Sequence, residues 1–338
     1  MGGAPGVVSL LPSATELLFA AGGGDLLVGR SHECDWPPAA MGAPVLTSAR
    51  IAHVAAPDAP PADAAAIDAA VRAAIGGGES LYRLDEPALR GIGPGVILTQ
   101  DLCEVCSIDL RTVERVARGM PGPPRVINLN PTSLWQVLDD LLRVGDAIGR
   151  PDAARAAATA LRDRAWTAAE QAVPFVDGPS VLFLEWTDPP FVGGHWTPEL
   201  IAMAGGRHPL NAAGAKSRAV TPEEIAASAP DRVVVAPCGF PLPAVREAVR
   251  ALDGVAWWEA LEPVRAARAA ASRGEPCDRV MLVDGNQMFN RPGPRLVDAL
   301  EWLVGWLNDR PETVPTGFPA EAWTPAAQGT DWTAASAG

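Results

Sequence analysis

The chain has 338 residues, 48% of them hydrophobic, and a formal net charge of −13. That length and apolar content suit two domains with substantial cores. With an acidic excess and one lysine, Lys216, it carries no footprint for nucleic acid, and no apolar run is long enough for membrane insertion.

At the start, Met1-Gly2-Gly3-Ala4-Pro5-Gly6 leads into strand-like sequence without the basic and long apolar regions of an export signal, so a cytoplasmic protein is expected. In such a reducing compartment the five cysteines are free thiols, metal ligands or catalytic groups rather than a disulfide framework. Residues 7–11 read as a strand that Pro12-Ser13-Ala14-Thr15-Glu16 turns into a helix, with Ser13 and Glu16 at capping-box spacing. A second strand, 26–30, delivers Ser31-His32-Glu33-Cys34-Asp35-Trp36-Pro37-Pro38, a dense group of side chains with chemistry or stacking capacity. A short strand at 45–47, a Pro/Ala-rich loop at 55–61 and helices at 64–75 and 83–92 follow. The apolar strand 95–99 then runs into Gln100-Asp101-Leu102-Cys103-Glu104-Val105-Cys106 and the helix 110–118, and 125–129 is the last strand of this half.

Apolar residues at 134, 137, 138, 141, 142 and 144 recur at helical steps behind a Pro131-Thr132-Ser133 cap. Gly149-Arg150-Pro151 breaks that period, and a helix over 152–173, rich in Ala and Arg and free of internal Gly or Pro, begins at once. About 20 helical residues span roughly 30 Å, the width of a small domain. We read this helix as a rigid spine between an N-terminal α/β lobe, 1–151, and a C-terminal α/β lobe, 174–308. The second lobe has strands at 181–184, 232–236 and 279–283 and helices near 198–204 and 296–307. The alternation of strand and helix predicts a mostly parallel sheet in each lobe. A Pro/Ala-rich tail, 309–338, is expected to be a strap or disordered, with Trp323 and Trp332 as pins. Gly22-Gly23-Gly24 and Gly91-Ile92-Gly93 lack the spacing of a phosphate loop.

Open parallel sheets bind ligands beyond the carboxyl ends of their strands. The residues with chemistry follow predicted strands: His32, Glu33, Cys34, Asp35 and Trp36; Asp101, Cys103 and Cys106; Glu185, Trp186 and His195; Cys238; Asn286 and Asn290. If the lobes face each other, all of them line one cleft. Trp36, Trp186 and Trp196 would supply flat walls for a large planar ligand, with Asp101, Asn286 and Asn290 as polar contacts. Cys103-x-x-Cys106 has the spacing of half a zinc or iron–sulfur site, to which His32, Cys34, His195 and Cys238 could add ligands; the pair also reads as small buried hydrophobes at a helix start. Used as an enzyme, the cleft would offer Cys34 as nucleophile, with His195, or a Glu185 whose pKa burial raises, moving protons. Plain surface or hydrogen-bonding roles for His195 and Glu185 stand beside that reading.

Ser9-Leu10-Leu11-Pro12-Ser13-Ala14-Thr15-Glu16, the strand before Thr99-Gln100-Asp101, the spine helix and Pro198-Glu199-Leu200-Ile201-Ala202-Met203-Ala204-Gly205-Gly206 resemble the helical-backbone substrate-binding proteins of ABC transporters over about residues 6–308. The resemblance implies two α/β lobes bridged by one long helix, modest hinge motion, and a ligand such as vitamin B12, haem or a ferric siderophore between the lobes. Ser31-His32-Glu33-Cys34-Asp35, the run from Thr99 to Cys106, Glu185-Trp186 and Phe289-Asn290-Arg291-Pro292-Gly293-Pro294-Arg295 are most similar to the members described as cobalamin-binding-like. The implied partner is a small molecule, cobalamin or another corrinoid or related metal chelate. The alternative is a metal- or cysteine-dependent enzyme that holds zinc or iron with cleft cysteines. Lacking an export signal and a lipoprotein cysteine near Met1, the chain is not expected to have a transporter partner.

Overall fold

The computed structural model of the chain describes residues 5–50, 63–76, 81–101, 110–173 and 178–325. The N-terminal lobe comprises β1 (Val7–Ser9), α1 (Pro12–Ala20), β2 (Leu27–Arg30), β3 (Thr47–Ala49), α2 (Ala64–Gly76), β4 (Tyr82–Leu84), α3 (Glu86–Ile92), β5 (Val96–Thr99), α4 (Leu110–Arg118), β6 (Arg125–Asn128) and α5 (Leu134–Ala147). After the spine α6 (Pro151–Gln171) come β7 (Val181–Thr187), β8 (Pro190–Val192), α7 (Thr197–Met203), β9 (Arg218–Ala219), α8 (Pro222–Ser228), β10 (Arg232–Val235) and α9 (Leu242–Arg250). The C-terminal lobe continues with α10 (Ala256–Glu259), α11 (Glu262–Ser272), β11 (Val280–Val283), α12 (Leu296–Leu307) and β12 (Ala320–Ala322).

Strands β2, β1, β5 and β6 form a parallel sheet in that order, and β3 pairs antiparallel with β4. In the second lobe β10 lies parallel between β11 and β7, while β8, β9 and β12 add antiparallel edges. Successive strand residues point to opposite faces. Val7, Leu98, Val181 and Phe183 accordingly share a cluster with α5, α6 and α12, whereas Val8 and Ile97 turn to α3 and α4, and Leu182 and Leu184 to α9 and α11. The first of these clusters is continuous from one lobe to the other.

The spine makes that continuity possible. Its 21 residues span about 31 Å. The fully buried positions are Ala154, Ala158, Ala165 and Ala168, small side chains that let α5 and α12 come close to its backbone, while Leu161 and the stack of Trp166 on Trp135 of α5 fill the margins. Arg164 adds ion pairs to Asp298 (2.5 Å) and Glu301 (2.6 Å) of α12.

Three elements differ from the expected pattern. The helix predicted over 83–92 starts later: residues 82–84 pair as β4, and Asp85 then caps α3 by accepting a hydrogen bond from Ala88 N at 2.9 Å. The tail contributes a strand, because β12 pairs with β11 and Trp323 packs on Trp258 with ring centroids 5.6 Å apart. The second lobe therefore extends past residue 308. Finally, α2 belongs to the first lobe by sequence, yet its Ile67 is buried in the outer apolar cluster of the second lobe. The 55–61 loop and Trp332 lie outside the described residues. Among the described residues no helix is long and apolar enough to cross a membrane.

Gly145 lets α5 and α6 meet closely, since a Cβ there would come within 2.2 Å of the Ala154 Cβ. Gly145→Ala is expected to destabilise the protein by about 1–3 kcal/mol through overpacking. Gly91→Ala, in α3 with nothing within 4 Å of the added carbon, should be neutral or stabilising by up to about 1 kcal/mol. Urea unfolding of the two variants against the parent chain checks both.

Candidate functional site

The loop leaving β2 is folded around a buried cation. Arg30 donates from Nε to Ala43 O (3.2 Å), from Nη1 to Ser31 O (3.2 Å) and Cys34 O (3.1 Å), and from Nη2 to Met41 O (3.5 Å). One guanidinium thus pins both ends of the segment that carries His32 to Trp36. A hydroxyl relay fixes its first turn: Thr47 Oγ1 lies 2.6 Å from His32 Nδ1, accepts from His32 N at 3.0 Å and donates to Ser31 Oγ at 3.1 Å. Tyr82, 5.6 Å from the His32 ring, donates its hydroxyl to Glu33 Oε1 at 3.0 Å. Burial lowers the His32 pKa, helped by the charge of Arg30, and raises that of Glu33 against the opposing Tyr82 bond. Both side chains are shifted toward their neutral forms.

Cys34 points the other way. It is fully buried beneath α1, with Sγ 3.0 Å from Thr15 Oγ1, and burial pushes its thiol up to about 11. At neutral pH it is a protonated core residue, which corrects its assignment as nucleophile or metal ligand. Trp196 needs a similar correction. It is buried, its indole N–H donates to Phe289 O at 2.6 Å, and it is a core group rather than a cleft wall.

The residue that does reach across is Asp35. Its carboxylate accepts a fork of hydrogen bonds from Arg291, Nη1 to Oδ1 at 2.6 Å and Nη2 to Oδ2 at 3.1 Å, and a third from Asn286 Nδ2 at 3.0 Å. Beside it, Glu16 of α1 accepts from Arg295 Nη2 (2.6 Å) and Nε (3.0 Å), and its Oε1 lies 3.5 Å from Arg291 Nη1. Both carboxylates come from the first lobe and both guanidinium groups from the second. Glu16 is therefore no capping residue: Leu11 occupies the cap position of α1 and makes no side-chain cap. Burial alone would raise the Asp35 pKa, but the bonds and charge of Arg291, with Asn286, hold it below the usual carboxylate range. Asp284, at the end of β11, accepts from Asn286 N and Gln287 N and sets the turn from which Arg291 projects. Asn290 braces the same turn through Ala236 O and Gly285 O.

Trp36 is 44% exposed, with the Arg295 guanidinium 5.2 Å from its ring centroid. Trp186 packs edge-on to Phe240 and donates to Ala64 O of α2 (3.2 Å) and to Asp188 O (3.1 Å). Glu185 accepts from Ser217 Oγ at 2.7 Å, and Cys238 N donates to Glu185 O at 3.1 Å. Asp101 is exposed, its backbone N–H donating to Asn130 Oδ1 at 2.8 Å. His195 sits in a turn of the second lobe at φ 51°, with its ring stacked on Trp196. Cys103 and Cys106 lie outside the described residues. Among the described residues no three His, Cys, Asp or Glu side chains gather to share a metal ion. The set of His32, Cys34, His195 and Cys238 is thus not assembled as zinc or iron ligands.

Two lobes facing each other across a long helix, strand ends inward, decide the architecture. The chain has the fold of the helical-backbone periplasmic binding proteins. It is similar to the periplasmic vitamin B12-binding protein of Vibrio cholerae at 18% identity, over 91% of this chain and 99% of that one, with a TM-score of 0.60. The periplasmic haem-binding protein of Roseiflexus sp. RS-1 matches at 22% identity over 91% and 99% of the two chains, TM-score 0.64. An ABC transporter substrate-binding protein of Listeria monocytogenes EGD-e matches at 17% over 90% and 99%, TM-score 0.65. No protein-family model and no curated protein matches the sequence. The vitamin B12- and haem-binding proteins among these neighbours are periplasmic, which contradicts the expected cytoplasmic location. The argument against a transporter partner falls with it.

Removing one member of the charged cluster leaves the others buried without a counter-charge. Glu16→Ala is expected to cost about 3–5 kcal/mol, measured by denaturant unfolding. Asp35→Asn should cost about 1 kcal/mol at pH 7, since Asp35 is part-exposed. A depressed carboxylate contributes stability above its unfolded pKa and loses it as pH falls through the folded one. The difference between wild type and Asp35→Asn should therefore be present above about pH 4 and vanish in more acidic buffer.

Proposed function

We propose that this protein is a solute-binding protein that holds a corrinoid or related tetrapyrrole metal chelate between its lobes. The observation that carries this reading is the half-exposed Trp36 in the loop after β2, backed by the Arg295 guanidinium at the start of α12 in the other lobe. An indole held in place on one side by a cation is a platform for a planar macrocycle on the other. The fold supports it, since solved proteins that share it bind vitamin B12 and haem. His32 and Glu33 next to Trp36, both shifted by burial toward their neutral forms, suit a largely uncharged macrocycle face better than a small hydrated ion. The alternative of a cysteine-dependent enzyme draws nothing from Cys34, whose thiol is shut inside the first lobe.

Titration of the purified protein with cyanocobalamin and with haemin, followed by visible absorbance and tryptophan fluorescence, tests the proposal. Saturable binding of at least one macrocycle is expected, weakened about 2- to 10-fold by Trp36→Ala, the range that one aromatic contact supplies. If neither compound binds, the reading is wrong.

A further inference from the structure

The two partners of the Asp35–Arg291 pair, which links the lobes, are unequally buried. Arg291 is 7% exposed, whereas the side chain of its partner Asp35 is 43% exposed. Arg291 is held from behind as well: Glu16 lies 3.5 Å from Nη1, Asn286 Oδ1 accepts from Nη2 at 3.0 Å, and the turn that carries it is fixed by Asp284 and Asn290. If Asp35 swung away, the guanidinium would remain in place with its fork unoccupied and the Asn286 amide beside it. That is a carboxylate receptor with its geometry already set. Asp35 is also the residue next to Trp36, so a ring stacked on that indole would bring its edge substituents to the same corner.

We infer that the Asp35 carboxylate is a displaceable stand-in for an anionic group of the ligand, and that Arg291 with Asn286 selects macrocycles bearing a free carboxylate. This rests on the tetrapyrrole reading and narrows it: haem and the acid forms of corrins qualify, and a corrin with every edge substituent amidated does not. The exchange breaks the Asp35–Arg291 bonds, forms equivalent ones to the ligand, and releases the loop carboxylate to water. It costs little because a part-exposed carboxylate is readily rehydrated. The depressed pKa of Asp35 fits a fork that already holds an anion.

Two measurements test it. Thermal unfolding of Asp35→Ala in acetate or propionate, against equal concentrations of chloride, should show the carboxylates raising the midpoint while wild type does not respond. If Asp35→Ala folds poorly, Asp35→Asn serves in its place. Haemin should bind the Asp35 variant about tenfold more tightly than wild type, a difference of roughly 1.4 kcal/mol, with cyanocobalamin affinity unchanged. No response to acetate, or an equal gain for both macrocycles, overturns the exchange, the latter showing that the substitution merely loosens the lobes. Acetate rescue in a protein that binds neither macrocycle would instead uphold the fork and remove the tetrapyrrole reading.

Discussion

A helix whose fully buried positions are all alanine can be approached closely by two neighbours at once, and the relation of the two lobes depends on that property of α6. Ala154, Ala158, Ala165 and Ala168 let α5 and α12 pack against one rod, so the apolar core of the first lobe runs without interruption into that of the second. Interiors packed to crystal-like density resist shear. A core that runs through the spine therefore opposes sliding of one lobe past the other.

Two further bridges act on the same pair of lobes. The Glu16–Arg295 pair is buried on both sides, so desolvation offsets much of its Coulombic gain, and its value, like that of the half-exposed Asp35–Arg291 pair beside it, lies in fixing one arrangement rather than in raw stability. Helix α2 works by burial instead. Ile67 sits in the second lobe's apolar cluster, a placement worth about 1.5–3 kcal/mol for a side chain of its size. One bridge is polar and exchangeable, the other apolar and insensitive to charge.

Much of the fold was legible because it is written in short-range periodicity. The α5–α6 pair shows in its apolar spacing and the Gly149-Arg150-Pro151 break, the apolar run 95–99 marks β5 as a buried strand, and the runs 232–236 and 279–283 mark β10 and β11. The site was legible only as a set of loops. Predicted strand ends lead into the loops that carry Asp35, Trp36, Trp186, Asn286 and Asn290, but residue type could not say which way a side chain turns: Cys34 and Trp196 face the cores of their lobes. Glu16 shows the harder limit. Its spacing from Ser13 matches a helix cap, and its real partners, Arg291 and Arg295, lie more than 270 residues away, a separation no local pattern encodes. Arg30 escaped notice for the same reason, since its four acceptors are backbone carbonyls that have no sequence signature.

The strand contributed by the tail has a significance beyond its three residues. Without β12, the apolar run Val280-Met281-Leu282-Val283 would be the outer strand of the second sheet, with a row of unpaired amides and carbonyls open to solvent. Such an edge is a template for pairing with other chains. The clasp of Glu321 by Arg246, at 2.6 Å for both bonds, and the Arg268 guanidinium over Trp323 keep the cover in place. The opposite edge, β9, is two residues long and too short to recruit a neighbour. A stretch of sequence that looks like an afterthought thus serves as the guard against self-association.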